Sequence, residues 1–181
     1  MIAVRRIPRD DLRTVVGAID RSEHVDAEYT VVDGRLVERP VTMSEIPSWD
    51  PVGDGPHSVA AKVRHCASVV DERGGVVLGG FEGQRVAGVA VVAPSFDPPL
   101  AWFAYLHVNR ADRRQGVASA LWDAASALAR ASGAKQLYVS ATPTASAVGF
   151  YLSRGCRLAD PVHSVLFELE PDDVHLVSDL P

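Results

Sequence analysis

The stretch Val108-Asn109-Arg110-Ala111-Asp112-Arg113-Arg114-Gln115-Gly116-Val117-Ala118-Ser119-Ala120-Leu121 constrains the fold more than any other part of the chain. Leu100 to Val108 reads as a strand, and Val117, Leu121, Ala124, Ala125 and Leu128 recur at helical spacing. A strand therefore runs through a basic turn directly into a helix. The first turn of a helix carries unpaired N–H groups and the positive end of its dipole, which together receive an anion such as phosphate. Gly116 allows close backbone approach, and Ala118 and Ser119 are small. Arg113 and Arg114 add charge-assisted donors for phosphate oxygens. The spacing is compatible with two readings, a pyrophosphate seat and a basic loop that caps a helix. Neither a Walker A loop nor a dinucleotide fingerprint is present, since Gly-Lys-Ser/Thr and Gly-x-Gly-x-x-Gly are both missing.

Around this segment the expected order is βα(loop)αβββαβαβ, a mixed α/β fold with one central sheet. Residues 2–7 read as a strand. Asp10 or Asp11 then caps a helix over Leu12, Val15, Val16 and Ile19. Residues 22–56 break the pattern. Asp33-Gly34 marks a hairpin there, and Pro40, Pro47, Pro51 and Pro56 make the rest irregular. Helical spacing returns from Ser58 through Val59, Val63, Cys66 and Val70 to Gly74-Gly75. Val76–Leu78 and Val86–Val92 read as paired strands, and Leu137–Ala141 as another. Pro143-Thr144 opens a helix that stops at Gly155, and Val165–Leu169 alternates as a last strand. At 181 residues this is one domain, 1–181, with 22–56 as an inserted loop region.

Charge narrows the partners. The net charge of −5 disfavours a nucleic-acid binder, which needs a basic face. Residues 20–54 hold nine acids and three bases, −6 in total, leaving +1 for the rest. If that segment lines a site, a cation is the expected ligand; the competing reading is a solvated loop. The longest apolar run, Val86 to Ala93, is far short of the ~20 residues that span a bilayer. The N-terminus lacks a signal-peptide pattern, so a cytoplasmic location without membrane contact is expected. Cys66 and Cys156 fit reduced, buried thiols.

Two motifs together resemble the GNAT superfamily of N-acetyltransferases. Arg113-x-x-Gly116-x-Ala118 is similar to the family's Arg/Gln-x-x-Gly-x-Gly/Ala motif and follows a strand ending Leu106-His107-Val108, as it does in the family. Ala147-x-x-Phe150-Tyr151-x-x-x-Gly155 is similar to its second signature, Asn-x-x-Ala-x-x-Phe-Tyr-x-x-x-Gly. The likeness is strong over about residues 75–170; the first strand and helix agree by order only. Arg110 replaces the usual Pro, Ala118 the last Gly of the motif, and Thr144 the family's Asn. The resemblance implies a mostly antiparallel sheet that splays between its fourth and fifth strands, with about four flanking helices. It implies acetyl-coenzyme A, or another acyl-coenzyme A, as co-substrate, and no metal. The pyrophosphate would sit on the N–H groups of Arg114, Gln115, Gly116, Val117, Ala118 and Ser119, with Arg113 beside them. The pantetheine arm would pair with the backbone of Leu106, His107 and Val108. Thr144 and Ala147 would complete the cofactor side.

The implied chemistry is attack of an amine on a thioester. An alkyl amine of pKa near 10.4 is neutral in only about one molecule per thousand at pH 7, so a proton must be removed or the pKa lowered. The oxyanion needs an N–H donor, which the family takes from the fourth strand, here Val108. Tyr151 matches the family's tyrosine that protonates the leaving thiolate; on packing alone it is an aromatic beside Phe150. Members of the family often carry an acidic base on the face shared here by Trp102, Ala104, Leu106 and Val108, none of which ionises. His107 should point the other way. Glu23, Glu28, His24 and His57, on segments that wall the acceptor site in the family, are the remaining candidates for the base.

These readings converge on an N-acetyltransferase acting on a small cationic amine, with Tyr29 and Trp49 as possible aromatic walls. A peptide or protein amine is the competing acceptor. A non-catalytic acyl-coenzyme A sensor is the competing class, favoured by the missing strand carboxylate and disfavoured by Tyr151. Acetylation of charged tRNA would need a basic surface. The family often builds homodimers from its C-terminal elements.

Overall fold

The structure is a computed structural model, and it describes residues 2–181. Its core is a seven-stranded sheet in the order β1-β6-β7-β8-β9-β11-β10. The first four strands in that order are β1 (Ile2–Ile7), β6 (Val76–Glu82), β7 (Arg85–Asp97) and β8 (Leu100–Val108), each antiparallel to the next. β9 (Gln136–Ala141), β11 (Val174–Asp179) and β10 (Arg157–Leu158) complete it. The middle of β7, Ala87 to Ala93, is buried throughout, as expected of a strand covered on both faces.

Two apolar layers cover the sheet. On one face lie α3 (Val117–Ala131) and α4 (Ala145–Ser153), with Leu121, Trp122, Val148 and Tyr151 packed on Phe103 and Val139. On the other lie α1 (Leu12–Gly17) and α2 (Val59–Arg73), with Val16, Val59, Cys66 and Val69 packed on Val89, Val91 and Trp102. The Ser58 hydroxyl caps α2 by accepting from the Ala61 N–H at 3.1 Å. Asp11 precedes α1 without a side-chain cap, and a short 3-10 turn, Arg9–Asp11, leads into that helix. Gly88 lets α3 lie directly on the sheet, since a Cβ there would meet Val117 Cγ1 at 2.7 Å.

Residues 22–56 form two small hairpin-like pairs. β2 (Glu23–His24) pairs with β5 (Glu45–Ile46), and β3 (Glu28–Val32) with β4 (Arg35–Arg39) around Asp33-Gly34, as the turn signal predicts.

Two expectations fail. Val165–Leu169 is not the last strand but lies in a helix, α5 (Ser164–Leu169); the last strand is β11. Val165, Phe167 and Leu169 are exposed and Leu166 alone is buried, so this short helix anchors through one side chain and its alternation marks no sheet face. The second failure is in β8. Val91 pairs with Tyr105 and Val92 with Phe103, so Ala104 is an extra residue, a β-bulge. It breaks the shared face expected for Trp102, Ala104, Leu106 and Val108. Leu106 and Val108 pack toward α3, whereas Trp102 and Tyr105 pack toward α2.

Candidate functional site

The sheet opens between β8 and β9. These parallel neighbours pair only at Leu100–Trp102 against Gln136–Tyr138, and beyond Trp102 they are unpaired. The Asn109 N–H donates to Ala87 on β7 at 2.9 Å. Alternation along the strand then turns the N–H groups of Leu106 and Val108 to the other edge, the one facing the gap. An extended ligand can pair there, and the Val108 N–H is placed for an oxyanion.

The basic turn stands at the end of that edge. Asp112, buried, holds it through a two-pronged pair with Arg85 at 2.5 and 2.7 Å, which lowers the Asp112 pKa. Arg114 at φ 61 and Gly116 at φ 83 adopt left-handed conformations that turn the chain into α3. Gly116 is the N-cap of α3 with no side-chain cap, and a Cβ built on it would meet nothing within 4 Å. The start of α3 thus has no side-chain cap and open space beside Gly116, which suits a pyrophosphate. Arg114 and Gln115 are exposed at its rim; Ala118 and Ser119 are half-buried, and Val117 is core. The Arg113 side chain turns away from the seat. It donates to the Arg21 carbonyl at 2.8 Å and lies 3.7 Å from Glu23.

Residues 20–29 strap across the mouth of the gap. On the β8 side, the Arg110 N–H donates to the Asp20 carbonyl at 2.8 Å. On the α4 side, the Tyr29 N–H donates to Pro143 at 2.8 Å and the Ala145 N–H to Ala27 at 2.9 Å. Glu23 joins the two sides, touching Arg113 and accepting from the Ser146 hydroxyl. Glu28 is buried, with Thr42 donating at 3.0 Å and Arg39 at 3.1 Å. Thr144 caps α4, accepting from the Ala147 N–H at 3.4 Å. The acidic segment is largely paired within itself: His24 lies against Glu45 and Asp26, and Asp50 accepts from the Val52 and Gly53 N–H groups. Its charge is therefore spent on structure rather than aimed into the gap.

On the α3–α4 face of the gap, Tyr151 is buried edge-on to Phe103, the first β8 residue beyond the pairing, with ring centres 6.3 Å apart. Burial raises its hydroxyl above the ordinary range, so it stays protonated. Near the gap stand two acids that sequence reasoning missed. Glu170 and Asp173, between α5 and β11, are half-buried. Burial raises Glu170, and the Ser140 hydroxyl facing it on β9 offsets part of this. Burial and the charge of Glu170 push Asp173 up to about 7. Across from them, the β8 bulge presents Tyr105 and His107, with Trp49 edge-on to His107 at 5.3 Å. Burial and the nearby Arg21, Lys62 and Arg113 hold His107 neutral, with a pKa of about 3. Cys66 and Cys156 are free, buried, and pushed up to about 12 by burial, hence inert. Among the described residues no cluster of His, Cys, Asp or Glu has a metal-holding arrangement, and no helix is long and apolar enough to cross a membrane. A cavity of about 400 Å³ lies elsewhere, at the paired end of β8 and β9, lined by Leu100, Gln136, Tyr138 and His163.

The comparisons agree with this architecture. Among solved structures, nourseothricin acetyltransferase superposes with a TM-score of 0.71 at 20% identity, covering 99% of both chains. A Bacillus anthracis protein described as a streptothricin acetyltransferase, solved with acetyl coenzyme A, gives 0.63 at 17%, over 99% of this chain and 97% of that one. The ribosomal-protein-S18-alanine N-acetyltransferase of Escherichia coli gives 0.61 at 15%, over 99% and 94%. At these identities the likeness is one of fold. A search of curated proteins finds no match. The model of the acetyltransferase (GNAT) family matches residues 41–156, from just after β4 through the basic turn and α3 to just past α4, and the chain belongs to this family of acetyl-coenzyme A-dependent acetyltransferases.

Proposed function

We propose that this enzyme acetylates the primary amine of a small molecule by direct attack within a ternary complex, with Asp173 as general base. The observation that carries the reading is the pair of half-buried carboxylates, Glu170 and Asp173, just before β11, the strand beside β9, within electrostatic reach of both Tyr151 and Lys62. When bound, acetyl-coenzyme A supplies an activated acyl carbon. The N–H groups from Arg114 to Ser119 receive its pyrophosphate, and Leu106 to Val108 align its arm. The acceptor arrives as an ammonium, the cation that two crowded carboxylates favour. Asp173, near half-ionised at neutral pH, takes a proton from it. The Val108 N–H steadies the developing oxyanion. Tyr151, kept protonated by burial, donates to the departing sulfur. In this reading Glu23 and Glu28 are braces, since their oxygens are engaged by Arg113 and Ser146 and by Arg39 and Thr42.

The test is an acceptor screen over small amines and peptides, scored by release of free coenzyme A thiol. Turnover with small amines that disappears in Asp173→Asn is the expected result. Turnover confined to peptides, or undiminished in that variant, refutes it.

A further inference from the structure

Beside the carboxylate pair lies a second cluster whose donors lack acceptors. Trp49, from the Pro-rich part of the inserted segment, carries the Arg21 guanidinium 3.7 Å from its ring centre and the Lys62 ammonium at 4.8 Å. Neither cation makes an ion pair within 4.0 Å among the described residues, and burial lowers the pKa of both. Tyr105 and Trp49 are each only 7% exposed, and the Tyr105 hydroxyl, Trp49 Nε1 and Arg21 Nε are all buried without a partner. Trp49 Nε1 approaches the Tyr105 oxygen. Even if it donates there, the Tyr105 hydroxyl hydrogen and Arg21 Nε–H still have no acceptor. Buried donors without acceptors are costly, and two half-buried cations without ion pairs stand beside them. His107, held neutral between them, adds no charge.

The geometry points to an anion seat for the acceptor, formed by Arg21, Trp49, Lys62 and Tyr105, so that the acceptor is an amine that also bears an anionic oxygen group, in the manner of an amino acid. The inference rests on the acetyl-transfer reading of the same gap. The two unpaired cations and the two carboxylates are neighbouring groups, with Lys62 in electrostatic reach of Glu170 and Asp173 but in no ion pair with either. A zwitterion neutralises both at once, its ammonium at the acids and its carboxylate at the bases. Tyr105 and His107 project from the strand that binds the thioester arm, so the anionic group sits a few bonds from the reacting nitrogen.

The test compares β-alanine and 4-aminobutyrate with propylamine and butylamine, and adds 2-aminoethylphosphonate. The expected kcat/KM advantage of the carboxylated amines is about ten- to a hundredfold, the size of hydrogen bonds to a charged group. Most of that advantage should vanish in Lys62→Met and in Tyr105→Phe. Tyr105→Phe should keep or raise the melting temperature, because it deletes a buried donor that has no partner; a merely structural hydroxyl would lower it. Phosphonate preferred over carboxylate keeps the seat and names its ligand. Equal or better turnover of the plain amines overturns the inference while leaving acetyl transfer intact. If no amine releases thiol, the acetyl-transfer reading fails separately. Calorimetry with β-alanine then decides the seat: no binding, or binding unchanged in Lys62→Met, overturns it.

Discussion

Asp173→Asn should move activity and stability in opposite directions, which no purely structural role does. Burial and the neighbouring charge of Glu170 raise this carboxyl from the ordinary 3.8 to about 7. As a base it works only when ionised, so wild-type kcat at saturating acceptor should fall about tenfold per pH unit below that midpoint. The asparagine variant should lose this acidic limb and about 10²–10⁴ in kcat, with the KM for acetyl-coenzyme A little changed. Stability follows from the same shift. Between about pH 4 and pH 7 the folded chain keeps a proton on Asp173 that the unfolded chain has released, so stability declines as pH rises through this window. A shift of some three units sets a ceiling of about 4 kcal/mol, and water reaching the half-buried group reduces it to on the order of 2 kcal/mol. Asparagine is neutral throughout and removes that cost. Thermal melts at pH 8 should therefore place the variant higher by about 4–8 °C, and melts at pH 4 should place the two together. Full kcat with the limb intact would sink the base assignment. A lower melting temperature at pH 8 would sink the account of the carboxyl as a strained, desolvated group.

Three other substitutions probe the frame. Gly116→Val puts a β-branched residue at φ 83 with its side chain in the anion seat; calorimetry should show severely weakened coenzyme A binding by a folded protein, and unchanged affinity would remove the pyrophosphate from this turn. Gly88→Ala drives a methyl to 2.7 Å from Val117 and 3.1 Å from Leu121, costing about 1–3 kcal/mol in denaturant melts and raising the coenzyme A Kd as the first turn of α3 lifts; an unchanged melt would mean the helix has room to spare. Tyr151→Phe keeps the ring against Phe103 and Trp122 and should lower kcat about 10²-fold with the acetyl-coenzyme A KM within a few-fold; full kcat would return Tyr151 to packing alone.

What the sequence discloses is the local chemistry, and what it hides is where distant segments land. The strand, basic turn and helix from Leu100 to Ala131 were legible because each signal is a run of neighbours: an apolar strand, a glycine free to take φ 83, then helical spacing. Ser58 and Asp33-Gly34 were legible for the same reason, the cap and the turn each acting within four residues. The acceptor face was not. Period-2 alternation assigned Leu106 and Val108 to the face of Trp102, but one extra residue at Ala104 swaps the faces, and nothing in Phe103-Ala104-Tyr105 announces a bulge that depends on how β7 pairs. Tyr105 reaches the α2 face only through that slip. Glu170 and Asp173 stand in no motif of the sequence. Their place follows from α5, a helix where local alternation predicted a strand, and from β11, which pairs with β9 and was not read from the sequence. A paired signal was available: Val174, Leu176 and Val177 form a buried run straight after the acids, and a final strand there fixes their position at its head. Conversely, the acids of residues 20–54 left two readings open, a pull on a cation and a solvated loop, because composition counts charges without their partners. Once Arg39, Arg113, His24 and backbone N–H groups engage them, the unpaired charge near the gap belongs to Arg21, Lys62, Glu170 and Asp173, and it has both signs. In the proposed reading, selectivity depends on charge left over after folding, which a tally along the chain does not contain.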